Sequence, residues 1–312
     1  MHTTVILALP IAVAAGVVST IKGQNQIIGP RPCTFPLPTV AVSMNASTEH
    51  AYSWRSVAAT RGVDAFQMRR GVDSSDERTM ATFIPLELRH SILRLTADLR
   101  KIVYRKISNW AVTRSLCADV IRGKFSARGH PSGAVLKLED DAQFLPDFCG
   151  ASTRVLEALP SRGDWDILYL GHCAEATHRV RSCRRIQGAP SGHEFVSKGK
   201  KPMCTHAYAI TRRGARRIYD LLEGWPSVYL ERVLAAAEPG KGFPGNNTPR
   251  IFWQVDWGHD FELAHLIKRN ELETFLAWPP TVVQPWQLSR RTSSDDILRP
   301  APSVLPAACA RS

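Results

Sequence analysis

None of the seven cysteines (Cys33, Cys117, Cys149, Cys173, Cys183, Cys204 and Cys309) sits in a Cys-x-x-Cys pair, which argues against a structural zinc framework. Histidine is no better arranged for metal: His172, His206 and His259 match no His-x-x-x-His spacing. Lys and Arg gather only into short knots such as Arg69-Arg70 and Arg216-Arg217, never into a run interleaved with aromatics. The net charge of +12, from 40 Lys+Arg against 28 Asp+Glu, therefore lacks the form of a single-strand groove. No nucleic-acid partner is expected. There is no internal repeat, and charged residues make up only 22% of the chain, which excludes wholesale disorder.

Near the N-terminus, residues 4–18 (TVILALPIAVAAGVV) form an uncharged run of fifteen, short of the roughly 20 apolar residues a full membrane span requires. It fits a secretory signal or a short signal anchor, and small residues at 14–19 suit cleavage. Membrane attachment through 4–18 and release by cleavage are the two expectations, each placing the chain in the secretory pathway, in the ER or Golgi lumen. Sequons at Asn45-Ala46-Ser47 and Asn246-Asn247-Thr248 agree with that compartment. The cysteines permit up to three disulfides with one thiol over, and Cys173, Cys183 and Cys204 are the first place to look for a bridge. The organisation expected is a signal peptide or anchor over 1–22, a Pro-rich linker over 23–38, one domain over 39–290 and an irregular tail over 291–312.

Within the domain, short β-branched apolar runs alternate with stretches of helical spacing. Strands are expected at 39–44, 65–69, 134–138, 165–170, 205–210 and 274–278. Helices are expected at 50–61, 86–103, 110–121, 148–159, 213–222 and 261–270. Residues 178–199, rich in Arg, Ser, Gly and Lys, read as a long loop or flap. This alternation predicts a single α/β domain with a mostly parallel sheet.

Open α/β sheets bind ligands outside the carboxyl ends of their strands. The apolar strand AVLKL runs directly into Glu139-Asp140-Asp141. Three adjacent carboxylates repel one another, and a hard divalent cation relieves that repulsion. Mg²⁺ or Mn²⁺ takes oxygen ligands, often one or two carboxylates plus substrate phosphates and water. Alternate residues of a strand share a face, so Glu139 and Asp141 can serve one ligand together. Asp141 is the expected metal ligand, with Glu139 beside the ribose or a metal-bound water, and Asp140 holding the turn. His172 and His206, at strand ends, are candidates to line the same pocket. Arg181, Arg184 and Arg185 in the flap are candidates to close over a diphosphate, while Tyr208 and Trp165 read as core.

LKLEDDAQFLPDF, DWDILYLGHC, THAYAITRRGARRI and PPTVVQ follow one another in this chain. Together they resemble glycosyltransferase family 25, the lipooligosaccharide and collagen galactosyltransferases, and the GHC segment resembles fungal members. The resemblance covers roughly 39–296. It implies a GT-A fold, a Rossmann-like sheet that binds a nucleotide-diphosphate sugar, with Glu139 and Asp141 in the metal and nucleotide motif. It also implies that Asn45 lies beside the nucleotide, where the family carries a carboxylate and this chain reads Ser43-Met44-Asn45. Where the family has a Ser-His pair, this chain has Thr113-Arg114, and Arg114 is a candidate phosphate contact. Val255-Asp256-Trp257 resembles a later acidic segment on the acceptor side. Asp256, with Asp260 as runner-up, is the candidate general base for an inverting transfer.

The expected function is a metal-dependent glycosyltransferase, Mn²⁺ or Mg²⁺ its cofactor and a UDP-sugar its expected donor, galactose by resemblance. The acceptor is a hydroxyl of a glycan or glycoprotein. The alternative is a luminal binding protein of the same fold that has lost turnover, motivated by the departures at Asn45 and Arg114.

Overall fold

The computed structural model describes residues 33–44, 47–125, 131–160, 164–172, 180–189, 194–199, 202, 204–237 and 259–284. Ten strands and eight helices are assigned among them. In chain order they are β1 (Thr39–Ser43), α1 (Thr48–Thr60), β2 (Phe66–Arg70), α2 (Glu77–Thr82), α3 (Leu86–Leu93) and α4 (Ala97–Ile121). Next come β3 (Val135–Glu139), β4 (Gln143–Phe144), α5 (Phe148–Glu157), β5 (Ile167–Gly171), β6 (Val180–Arg185) and β7 (Phe195–Gly199). The last are β8 (Ala207–Ile210), α6 (Arg212–Leu221), α7 (Trp225–Ala237), α8 (His259–Lys268), β9 (Thr274–Trp278) and β10 (Val282–Val283).

Eight strands form one sheet in the order β2-β1-β3-β8-β5-β9-β7-β6, and β4 pairs with β10 in a separate two-stranded ribbon. The large sheet is mixed but mostly parallel in direction, with β8 and β7 running against the rest. The chain thus has the α/β, Rossmann-like architecture expected from the sequence. Alternation within each strand builds two cores. Val135, Ile167, Tyr169, Tyr208 and Ile210 join one buried cluster with α4, α6 and α7. Leu136, Leu138, Leu168, Leu170, Ala207 and Ala209 join the other, with Phe148 and Val155 of α5.

Most expected strands and helices lie close to their places, and the differences have local causes. The helix anticipated over 86–103 breaks into α3 and α4, because Thr96 Oγ1 accepts the Leu99 amide and caps a new helix. Nothing interrupts the chain after that cap, so 110–121 continues α4 and is no separate helix. The supposed flap over 178–199 contains the hairpin β6–β7, and β7 joins the sheet against β9. Its Arg-rich composition suits a strand at the sheet edge, where charge discourages further pairing. α7 has no counterpart among the expected helices, although Trp225, Tyr229, Leu230 and Val233 are buried at helical spacing.

The linker expected over 23–38 also needs correction at its C-terminal end. Cys33 is bonded to Cys149 on α5. Phe35 and Leu37 are buried, and the Phe35 ring lies 4.9 Å from that of Phe148. The compact unit therefore begins at Cys33. Cys183 and Cys204 are both disulfide-bonded, which agrees with a bridge in the anticipated cluster. Cys117, the free thiol among the described residues, is buried, and burial pushes its pKa up to about 12.

Asp166 locks the entry of β5 to α6 and to the start of β9. It is fully buried at the entry to β5. Its carboxylate accepts from Arg213 Nε at 2.8 Å, Arg217 at 2.7 Å and the Glu273 amide at 2.8 Å. Gly214 lets α6 approach, since a Cβ there would lie 2.2 Å from the Asp166 carbonyl oxygen. The expected segments 1–22 and 291–312 and the apolar run 4–18 lie outside the described residues, among which no helix is long and apolar enough to cross a membrane.

Candidate functional site at the carboxyl end of β3

β1 and β3 are parallel neighbours, with Val42 registered against Glu139, so their carboxyl ends open side by side beneath α4. The cleft there has a volume of about 210 Å³ and is lined by Val42, Met44 and Gly71 from one side. Ser108, Asn109, Val112 and Thr113 of α4 line another, and Lys137, Glu139, Asp140 and Asp141 form its charged wall. The structure therefore brings all three acidic candidates to one cleft at a strand end.

The three carboxylates have unlike surroundings. Glu139 is clamped: Oε1 accepts from Lys137 Nζ at 2.8 Å and Thr205 Oγ1 at 3.0 Å, while its amide donates to the His206 carbonyl at 2.9 Å. Burial works against its charge, but the Lys137 ammonium and the Thr205 hydroxyl prevail and bring its pKa down to about 2. Asp140 faces β1, where its Oδ2 accepts from Ser43 Oγ at 2.6 Å. Asp141 is exposed, and both its oxygens accept from Gln284 Nε2, at 3.2 and 3.0 Å. Reduced hydration and the negative charges of Glu139 and Asp140 raise its pKa, against the Gln284 hydrogen bond.

Among the described residues no group of three His, Cys, Asp or Glu side chains is placed to hold a metal alone. Mg²⁺ and Mn²⁺ bound with a phosphate-bearing ligand need only one or two carboxylates. Asp141, held by a single neutral amide side chain, meets that requirement, and an acidic oxygen donor set suits these hard ions.

The other candidates are placed less favourably for this cleft. Arg114 turns away from it: its guanidinium pairs with Glu223 at 2.9 Å and lies 4.3 Å from the Tyr219 ring centroid. The phosphate contact expected of Arg114 is not supported by this placement, because its helical position faces α6. His172 and His206 do not line the cleft either. His172 Nε2 donates to the Ala277 carbonyl at 3.0 Å, and its ring stacks on Trp278. His206 is fully buried, its Nε2 donating to the Val282 carbonyl at 3.4 Å and its Nδ1 without a partner. Burial lowers the His206 pKa to about 4, despite the charge of Glu139. Gly171 exists for this packing, since a Cβ would lie 2.3 Å from His206 Nε2. Arg184 and Arg185 sit on β6, five strands from β3 in the sheet, or about 24 Å at the usual strand spacing. They line a second groove with Arg154 and not this one. Asn45 and Asp256 lie outside the described residues, as do the side chains of Arg181 and Asp260; the Asp260 backbone belongs to α8. Tyr208 and Trp165 are buried core residues, as expected.

Lys137, Thr205, Ser43 and Gln284 are the site residues that sequence reasoning missed. Only Lys137 left a signal, a lone charge in an apolar strand two residues before Glu139. No family model matches the chain, and no curated protein matches it.

Proposed function

We propose that the chain is a metal-dependent glycosyltransferase that moves a sugar, galactose by resemblance, from a UDP-sugar donor to a hydroxyl of a glycan or glycoprotein. The observation that carries the proposal is the cleft in which Glu139, Asp140 and Asp141 meet at the carboxyl end of β3, beside β1 and under α4. That is where open α/β sheets take nucleotides. The resemblance of four ordered segments to glycosyltransferase family 25 supplies the reaction class. The disulfide Cys33–Cys149 and the bonded Cys183 and Cys204 support an oxidising, luminal compartment.

On this reading Asp141 holds Mn²⁺ or Mg²⁺, which when bound would neutralise the leaving diphosphate. Glu139, kept ionised and fixed in orientation, takes a donor hydroxyl of the ribose or a metal-bound water. Ser43 keeps Asp140 turned toward β1. Asp256, or failing it Asp260, takes the acceptor proton in an inverting transfer. The test is a screen of nucleotide sugars for Mn²⁺-dependent donor hydrolysis. Hydrolysis of one donor above the Asp141→Ala background supports the proposal, and equal rates in both proteins contradict it.

A second reading, a luminal binding protein without turnover, draws on the placement of Arg114, whose charge is engaged by Glu223 and not offered to the cleft. It expects Mn²⁺-dependent UDP binding with no donor hydrolysis or transfer.

A further inference from the structure

Lys137 is only 4% exposed, yet it lines the cleft with the three carboxylates. Its strand neighbours Val135, Leu136 and Leu138 are buried and apolar. Alternation puts Lys137 and Glu139 on the same face of β3, and there the ammonium donates to Glu139 Oε1 and to the Thr205 carbonyl at 2.7 Å. The ammonium also lies 5.4 Å from the Tyr208 ring centroid, which leaves it little freedom to swing aside.

We infer that Lys137 is a positioning residue that withdraws Glu139 from metal ligation, so that a divalent cation at this strand end is held from Asp141. The inference rests on the metal reading proposed above. A cation approaching Glu139 meets a fixed ammonium on the same carboxylate, and like charges at such separation repel. Oε1 already accepts from Lys137 Nζ and Thr205 Oγ1, and these two donors hold the carboxylate in its orientation. Ligation through Glu139 Oε1 requires breaking an ion pair with a buried ammonium, which leaves that charge uncompensated. Ligation through Asp141 displaces neutral donors, chiefly the amide of Gln284, and neutral hydrogen bonds are weaker than charge-assisted ones. Lys137 thereby divides the acidic triplet: one carboxylate fixed for orientation, one open for the metal.

The experiment is equilibrium dialysis of the full chain against Mn²⁺ at a UDP concentration that saturates each variant, with circular dichroism confirming that each variant is folded. Glu139→Gln is expected to retain Mn²⁺ affinity within about threefold, and Asp141→Asn to lose at least about tenfold. Lys137→Met, which removes the ammonium from Glu139 Oε1, is expected to bind Mn²⁺ more tightly. Adding Glu139→Gln to Lys137→Met should remove that gain, a dependence that a merely structural lysine would not create. If Glu139→Gln weakens Mn²⁺ as severely as Asp141→Asn, or if folded Lys137→Met binds as the natural chain does, the inference is overturned while the metal reading stands. If the natural chain itself retains no Mn²⁺, the metal reading falls and the inference with it. Should Lys137→Met fail to fold, the comparison of Glu139→Gln with Asp141→Asn decides the matter.

Discussion

Lys137 Nζ lies 2.8 Å from Glu139 Oε1, one end of the pair 6% and the other 34% exposed at its side chain. This contact joins the stability of β3 to the geometry of its acidic end. Breaking a buried pair strands a charge, so Lys137→Met should destabilise the chain by about 2–3 kcal/mol, less than for a fully buried pair. Glu139→Gln added to it should restore part of that loss. Urea unfolding of the two variants measures both.

The same pair has a pH signature. The folded pKa of Glu139, about 2, lies below its ordinary 4.5, so its contribution is fully present above pH 4.5 and is lost as pH falls toward 2. Allowing for its partial exposure, the loss is on the order of 2 kcal/mol. Acid unfolding of Glu139→Gln should lack this component.

His206 acts in a different window. Its folded pKa is lowered to about 4 from 6.5, so the unfolded chain takes up a proton first as pH falls. Stability is unaffected above pH 6.5 and declines from there to pH 4, by roughly 3 kcal/mol in all. Denaturant midpoints measured between pH 7 and 4 should fall less steeply for His206→Gln.

Asp166 predicts a separation of stability from ligand binding. Its buried carboxylate accepts from two guanidinium groups and one backbone amide, so Asp166→Ala should cost about 2–4 kcal/mol. Arg213 and Arg217 are 43% and 45% exposed at their side chains, and either Arg→Ala alone should cost about 1 kcal/mol or less. In a folded Asp166→Asn chain the affinity for UDP with Mn²⁺ should be unchanged, as calorimetry would show.

The disulfide Cys33–Cys149 closes a loop with a sequence separation of 116. On the chain-entropy account, Cys33→Ser with Cys149→Ser should cost about 4–5 kcal/mol. Thermal unfolding with and without the pair tests this, and an unchanged midpoint contradicts it.

Much of the fold was legible because its signals are local. The apolar run AVLKL and the acidic triplet after it place β3 and its acidic end without reference to distant residues. The partners of that triplet were not legible. Gln284 lies 143 residues beyond Asp141, and no periodicity joins them. Thr205 reaches Glu139 only because β8 runs antiparallel beside β3, an adjacency that strand spacing does not announce. Arg114 shows the complementary limit: its place in a helix was evident, but the face it presents depends on where α6 packs. Asp166 was read as part of a strand, and only burial beside Arg213 and Arg217 shows it to be a junction. Residues 164–173 and 205–218 thus carry packing devices, Gly171 and Gly214 among them.

Titration of UDP into the natural chain and into Asp141→Ala, each with and without Mn²⁺, tests the central claim most directly. The expected result is binding by the natural chain that strengthens with Mn²⁺, and loss of that strengthening in Asp141→Ala. Absence of UDP binding by the natural chain, or binding indifferent to both Mn²⁺ and Asp141, would contradict it.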